Sequence, residues 1–154
     1  MAATYPLLFT FLDKVEGDGY LPEVAVHGRL LAVQEDEGWW MYGVNPGGLA
    51  ASGKDRGQAY AEFRKTLMEV LFDIASDAPD FYTFRKLATK FFGETNEPTL
   101  KEWEAARQQV RAGSINVENM QHETAESPRR IDIKQKQTFA AKSNTTDPQA
   151  VVAA

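Results

Sequence analysis

The sequence predicts an α+β fold: a small antiparallel sheet with one long helix packed on it, two further short helices and a flexible C-terminal tail. Three observations carry this prediction. Aromatic and β-branched residues bounded by glycine surround an acidic turn in the stretch 29–44. Apolar residues recur at spacings of three and four from Tyr60 to Ile74. Large apolar residues thin out beyond Gly113. The chain has 154 residues, enough for one ordinary domain with a tail. It divides into an α+β domain over 1–112 and a polar, largely disordered tail over 113–154.

In the first apolar run, Leu7, Phe9 and Phe11 alternate with Leu8, Thr10 and Leu12. Both faces are apolar, so a strand covered on both sides is expected. Val24 and Val26 flank Ala25 before His27-Gly28, and Leu30-Leu31-Ala32-Val33 follows. Glu35-Asp36-Glu37-Gly38 is the turn of a hairpin, with Gly38 able to take a positive φ. In the returning strand, Trp39, Met41 and Gly43 share one face, and Trp40, Tyr42 and Val44 share the other. One face suits a helix; the other suits a second element or a partner. Asn45-Pro46-Gly47-Gly48 is a reversing loop, since proline fixes φ and glycine permits the sharp turn. Leu49-Ala50-Ala51-Ser52-Gly53 follows as a short strand pairing back.

The long helix runs from Arg56 to about Ser76, with Tyr60, Phe63, Leu67, Val70, Leu71 and Ile74 in one stripe. Asp55 and Gln58 have the spacing of a capping box. Burying such side chains contributes about 1.5–3 kcal/mol each before entropy is subtracted. Asp77-Ala78-Pro79-Asp80 breaks the helix. A second helix over about 80–92 carries Phe81, Phe84, Leu87, Ala88 and Phe91 on one side, and Gly93 ends it. Thr99 and Glu102 form another capping-box pattern, opening a third helix to about Arg111. Its stripe is thin (Leu100, Trp103, Ala106, Val110), as on the rim of a core or an interaction surface. In the tail, Arg130-Ile131-Asp132-Ile133-Lys134 alternates as a short strand would, with Phe139 as an extension. Residues 140–154 are expected to be disordered.

Charge and composition narrow the chemistry. Net charge is −5, which argues against a generic nucleic-acid binder. Residues 12–37 alone carry −5, whereas residues 129–142 carry +4 through Arg129, Arg130, Lys134, Lys136 and Lys142 against Asp132. An acidic β-rich face suits a basic protein partner, and a basic segment suits an acidic one. The plainer alternative is a solubilising surface and a solvated tail. Without cysteine there is no disulfide, thiolate ligand or cysteine nucleophile. The N-terminus has no basic leader region and no apolar run of membrane-spanning length, so a cytoplasmic protein off the membrane is expected.

The residue spacings do not assemble a catalytic site. His27 and His122 stand apart from any second ligand at metal-binding spacing, and a Ser-His-acid triad would need one of them. Gly-x-Ser-x-Gly and the phosphate-loop spacing are both missing. No cofactor or metal is expected. Glu35, Asp36 and Glu37 could face a basic partner or a cation, or be a plain exposed turn. Trp39, Trp40 and Tyr42 could stack on bases, but an acidic setting favours a core or a protein interface. Phe81, Tyr82, Phe84, Phe91 and Phe92 read as core at helical spacing. Arg129, Arg130, Lys134 and Lys136 could contact phosphate, or belong to a mobile basic tail.

The run from Trp39 to Asp73, with Gly38 before it, resembles the N-terminal domain of the HicB-type antitoxins. In that family an aromatic-rich strand is followed by a proline-containing loop, a small-residue strand ending in glycine, and a helix rich in alanine and acidic or amide residues. Those features fall here on Gly38-Trp39-Trp40, Asn45-Pro46-Gly47-Gly48, Ala51-Ser52-Gly53 and Gln58-Ala59, and the resemblance covers residues 28–75. The chain departs from the family pattern in having no cysteine in the loop, and in Arg56-Gly57 where an acidic pair is usual. It also lacks a helix-turn-helix between Asp80 and Gly113, because the Gly93–Pro98 connection is too long for the usual turn. Residues 129–139 could imitate the strand of a ribbon-helix-helix arm, but no strong helix follows.

The resemblance implies a non-catalytic protein that masks a small basic, RNA-acting toxin-like partner. Glu35, Asp36, Glu37, Trp39, Trp40 and Tyr42 would form the contact surface. DNA binding and a homo-oligomeric state stay open, with Arg129, Arg130, Lys134 and Lys136 as the weaker nucleic-acid candidates. The alternative is a stand-alone accessory or structural protein of a phage or mobile element with no toxin partner.

Overall fold

A computed structural model describes residues 3–113, 130–136 and 151–153. Six strands form one sheet: β1 (Ala3–Lys14), β2 (Leu21–Glu35), β3 (Gly38–Asn45), β4 (Ala50–Gly53), β5 (Arg130–Lys136) and β6 (Val151–Ala153). Three helices, α1 (Arg56–Asp77), α2 (Phe81–Gly93) and α3 (Glu97–Arg111), complete the described fold. The sheet order is β4-β3-β2-β1-β6, and β5 also pairs with β2. All described strand pairs are antiparallel, so the α+β class expected from the sequence is the observed one.

The longest strand organises the sheet. β2 pairs with β1 over residues 23–34, with β3 over 29–35 and with β5 over 21–27. The pair His27-Gly28 lies inside this strand. Glycine is needed there for space: a Cβ on Gly28 would lie 2.5 and 2.6 Å from two ring carbons of Phe9. The register then shifts between Arg29 and Leu30 as β3 joins.

Strand alternation gives the sheet two working faces. Leu7, Phe9, Phe11, Val24, Val26, Leu30, Ala32 and Met41 lie on one side, in the main core with α1 and α2. Leu31, Val33 and Val44 lie on the other, in a smaller core with Trp103 and Ala106 of α3. β1 is thus covered on both sides, as its doubly apolar sequence implies.

The helices differ from the expected stripes in detail. The buried line of α1 is Ala59, Phe63, Leu67, Leu71 and Ala75; Tyr60, Val70 and Ile74 flank it, partly buried. α2 buries Phe92 rather than Leu87, which is 39% exposed. α3 starts two residues before the expected Thr99. Its cap is Asn96, whose side chain accepts the Thr99 N–H at 3.2 Å. Proline is tolerated in this first turn because its missing N–H has no partner there anyway.

β5 and β6 arise from the stretch set apart in sequence as a polar tail, and both join the sheet. β5 realises the alternation seen at Arg130–Lys134, with Ile131 and Ile133 packed on the main core. Within the stretch 140–154 the described residues are Val151, Val152 and Ala153, which pair as β6 with Phe9, Leu8 and Leu7. The outer backbone edge of β1 gives the chain there a ladder to join. Phe139 and the remainder of the tail lie outside the described residues.

α2 and α3 pack on opposite faces, so the chain must round the end of the sheet between them. The Glu94–Asn96 connection does this against the loop after β3. Gly47 N–H donates to Glu94 O at 3.0 Å, and Asn96 N–H donates to Val44 O at 3.0 Å. Asn45, 2% exposed, is the hub. Its Oδ1 accepts from Arg29 Nε at 2.8 Å and Nη2 at 2.5 Å, and its Nδ2 donates to Thr95 Oγ1. The peptide bond Asn45-Pro46 is cis.

Tyr20, in the β1–β2 connection, clamps the far end of α1. Its hydroxyl reaches Ala78 O at 2.8 Å and Ala75 O at 3.1 Å. Tyr20→Phe should cost about 1–3 kcal/mol in denaturant unfolding, since buried carbonyls lose a donor. Burial pushes the Tyr20 phenol pKa up from 10.0, and the carboxylates of Asp80 and Asp18 push the same way. A proton held more tightly in the folded state stabilises the fold fully below the unfolded pKa; that contribution is lost as pH rises through the folded value. Above about pH 10 the parent protein should therefore lose stability faster than Tyr20→Phe. Parallel stability–pH curves for the two proteins would count against this clamp.

Candidate partner-binding groove

A groove of about 710 Å³ straddles the outer edge of β4. Its floor is Ala50, Ala51, Ser52 and Gly53, four small residues that leave the edge low. Gln58, Glu62 and Thr66 of α1 line one wall at four-residue spacing, so they stand in a row on the helix surface. Trp40 with Glu35 and Glu37 of the hairpin lines the other side, and Lys54 lies at the end of β4. Three carboxylates against one ammonium give the groove a negative balance.

Local sequence explains the walls. Asp55 caps α1 by accepting the Gln58 N–H at 2.8 Å, and Gln58 Oε1 accepts the Lys54 N–H at 2.7 Å. This is the expected capping box, with the return bond displaced by one residue. It fixes where α1 begins relative to β4. Gly53 makes the close approach possible, since a Cβ there would lie 2.8 Å from Gln58 C and 3.0 Å from Ala59 Cα.

The six hairpin residues expected to form one surface divide between the two faces of the sheet. Glu35, Asp36 and Glu37 are exposed at the hairpin, where Glu35 pairs with Gly38. Trp40 is 37% exposed and stacks on Tyr42 with ring centres 5.9 Å apart and planes 12° from parallel. Trp39 is on the opposite face, packed on the main core and stacked on Tyr5 at 5.5 Å. Alternation forces this split. Tyr42 is partly buried against the α3 core. Burial raises its phenol pKa, and the negative charges of Glu35 and Glu102 add to the effect.

The basic candidates are placed less favourably for a phosphate. Lys134 lies 3.5 Å from Asp132, and Lys136 lies 3.6 Å from Glu23, so both amines have carboxylate neighbours. Arg130 opens β5, and Arg129 lies outside the described residues.

His27 is exposed and borders a smaller cavity of about 220 Å³ with Asn45 and Phe92. Among the described residues no three His, Asp or Glu side chains gather to hold a metal, and no helix is long and apolar enough to cross a membrane.

Sequence reading found the hairpin wall and missed the helical one. Glu62 and Thr66 look like ordinary solvent-facing helix positions, and only the pairing of β4 brings them to the hairpin. The available signal was the run Ala50–Gly53, whose lack of large side chains leaves a strand edge uncovered. No protein-family model, curated protein or solved structure matches this chain.

Proposed function

We propose that the protein is a non-catalytic partner-binding protein of the HicB-like antitoxin kind, which masks a small basic RNA-acting protein. The observation that carries this reading is the coincidence of exposed Glu35, Asp36 and Glu37 with the Trp40–Tyr42 stack on one hairpin. Carboxylates steer a cationic partner, and an exposed indole gives it an apolar and cation-binding contact. Masking of this kind is steric and electrostatic, and it asks for no reacting group.

The test is co-expression with any small basic protein encoded beside this gene, followed by purification on a tag and a growth-rescue assay. The parent protein should retain that partner and relieve its toxicity. Replacing Glu35, Asp36 and Glu37 together by lysine should weaken the complex by about tenfold or more and flatten its salt dependence. A neighbouring basic protein that neither co-purifies nor is relieved of toxicity would overturn the reading.

A further inference from the structure

We propose that the free edge of β4 takes up an extended basic segment of the partner as an added strand, with cations reaching Glu62 on one side and Trp40 with Glu35 on the other. This deepens the function proposed above and rests on its basic partner; it adds the β4 edge and Glu62 to the hairpin contact through Glu35 and Trp40.

The edge is identified by its hydrogen bonding. Gly43 N–H donates to Leu49 O at 2.8 Å, and the β3–β4 register continues through Tyr42↔Ala50, Met41↔Ala51, Trp40↔Ser52 and Trp39↔Gly53. Bonded and non-bonded pairs alternate along an antiparallel ladder. The backbone groups of Ala51 and Gly53 therefore turn inward to β3, and those of Ala50 and Ser52 turn outward. β4 is the end of the sheet order, and no described strand pairs with its outer side. Ala50 and Ser52 are both exposed. Such an edge is a template for another chain.

The surroundings select the occupant. A strand beside β4 sends alternate side chains to opposite faces. On the α1 side they meet the Gln58, Glu62, Thr66 row; on the other side only Ala50 and Ser52 lie between them and Trp40. Both sides thus carry a carboxylate, and one carries an exposed ring. Arginine or lysine suits both sides. A second copy of this chain fits worse. Pairing β4 with itself would gather Glu35, Glu37 and Glu62 from two copies against two Lys54 amines.

An eight-residue peptide of arginine and valine in equal number, with a glutamate and valine control, tests the proposal on the full chain. Titration is followed by calorimetry and by amide hydrogen exchange. The arginine peptide should bind and the control should not. Ala50 and Ser52 amides should slow by about tenfold or more on binding, because they acquire acceptors. Glu62→Lys should weaken binding by about tenfold. Ser52→Pro should abolish it while leaving the unfolding midpoint near that of the parent, since the lost N–H points outward.

Binding without protection of Ala50 and Ser52, and lost only when Glu35, Asp36 and Glu37 are reversed, overturns strand addition and leaves the hairpin reading standing. Protection that rises with protein concentration alone makes a second copy the occupant and overturns the proposal. No binding of the arginine peptide overturns it as well, and co-purification of the neighbouring basic protein then judges the parent reading separately.

Discussion

Trp103→Ala should lower the unfolding free energy by about 3–5 kcal/mol, the range for removing a buried tryptophan side chain. Trp103 is 2% exposed and is the largest side chain of the smaller core. Its Nε1–H donates to Leu7 O at 3.2 Å, and the guanidinium carbons of Arg29 and Arg107 lie 5.3 and 5.4 Å from the ring centre. Alanine removes the ring, the donor and the surface on which both cations rest. Few other large groups hold α3, since Leu100 is only partly buried. The loss therefore stops at the value of docking the whole helix. Urea unfolding together with amide exchange checks this: α3 amides should exchange far faster while those of α1 stay protected. A loss under about 1 kcal/mol would show that α3 is held by something other than this ring.

Phe63→Ala should cost a similar amount, about 3–5 kcal/mol, with a different distribution. Phe63 is fully buried in α1 and meets Phe9 edge-to-face, with ring centres 5.5 Å apart and planes at 79°. The cavity opens in the main core, where α1, α2 and the sheet share contacts. Relaxation there is limited because Phe9 is itself wedged over Gly28. Exchange should accelerate across α1, α2 and the central strands together, in one cooperative transition. Faster exchange confined to α1 would contradict a core shared across these elements.

How far the fold was legible follows from the range over which each signal acts. α1 was legible because its stripe repeats over about four turns and its cap is local. The hairpin was legible because turn chemistry and alternation agree within a dozen residues. The thin stripe of α3 also foretold a small core. Errors came where a distant partner decides. Phe92 rather than Leu87 is buried because α2 leans on α1 and β5, an orientation its own sequence leaves undetermined. Asn96 caps α3 because the Glu94–Asn96 connection is tied to the loop after β3. β6 is three residues long, too short to carry a period, and the open edge of β1 defines it.

The candidate site divides in the same way. Its acids and aromatics stood out in sequence, and their parity already separated Trp39 from Trp40. Both nevertheless border the groove, from opposite faces of β3. Gln58, Glu62 and Thr66 carry no signature of their own, and the fold brings them to the groove. The Lys134 and Lys136 amines lie beside carboxylates contributed partly by β2, which a count of charges along the chain does not register.

The passage of the chain around the sheet at Glu94–Asn96 has a consequence for the order in which the molecule opens. Apart from Ile131 and Ile133 of β5, the α1 side is built from residues before this point, whereas α3 reaches back 96 positions from Trp103 to Leu7. Closing so long a loop costs entropy that a small core only partly offsets. The Asn45 hub lowers that cost by anchoring the chain where it turns, close to the start of α3. Arg29 links hub and helix, bonding Asn45 while lying over Trp103. The arrangement predicts a two-stage latch, in which the α3 face opens before the α1 face and the polar knot around Asn45 favours its reclosing.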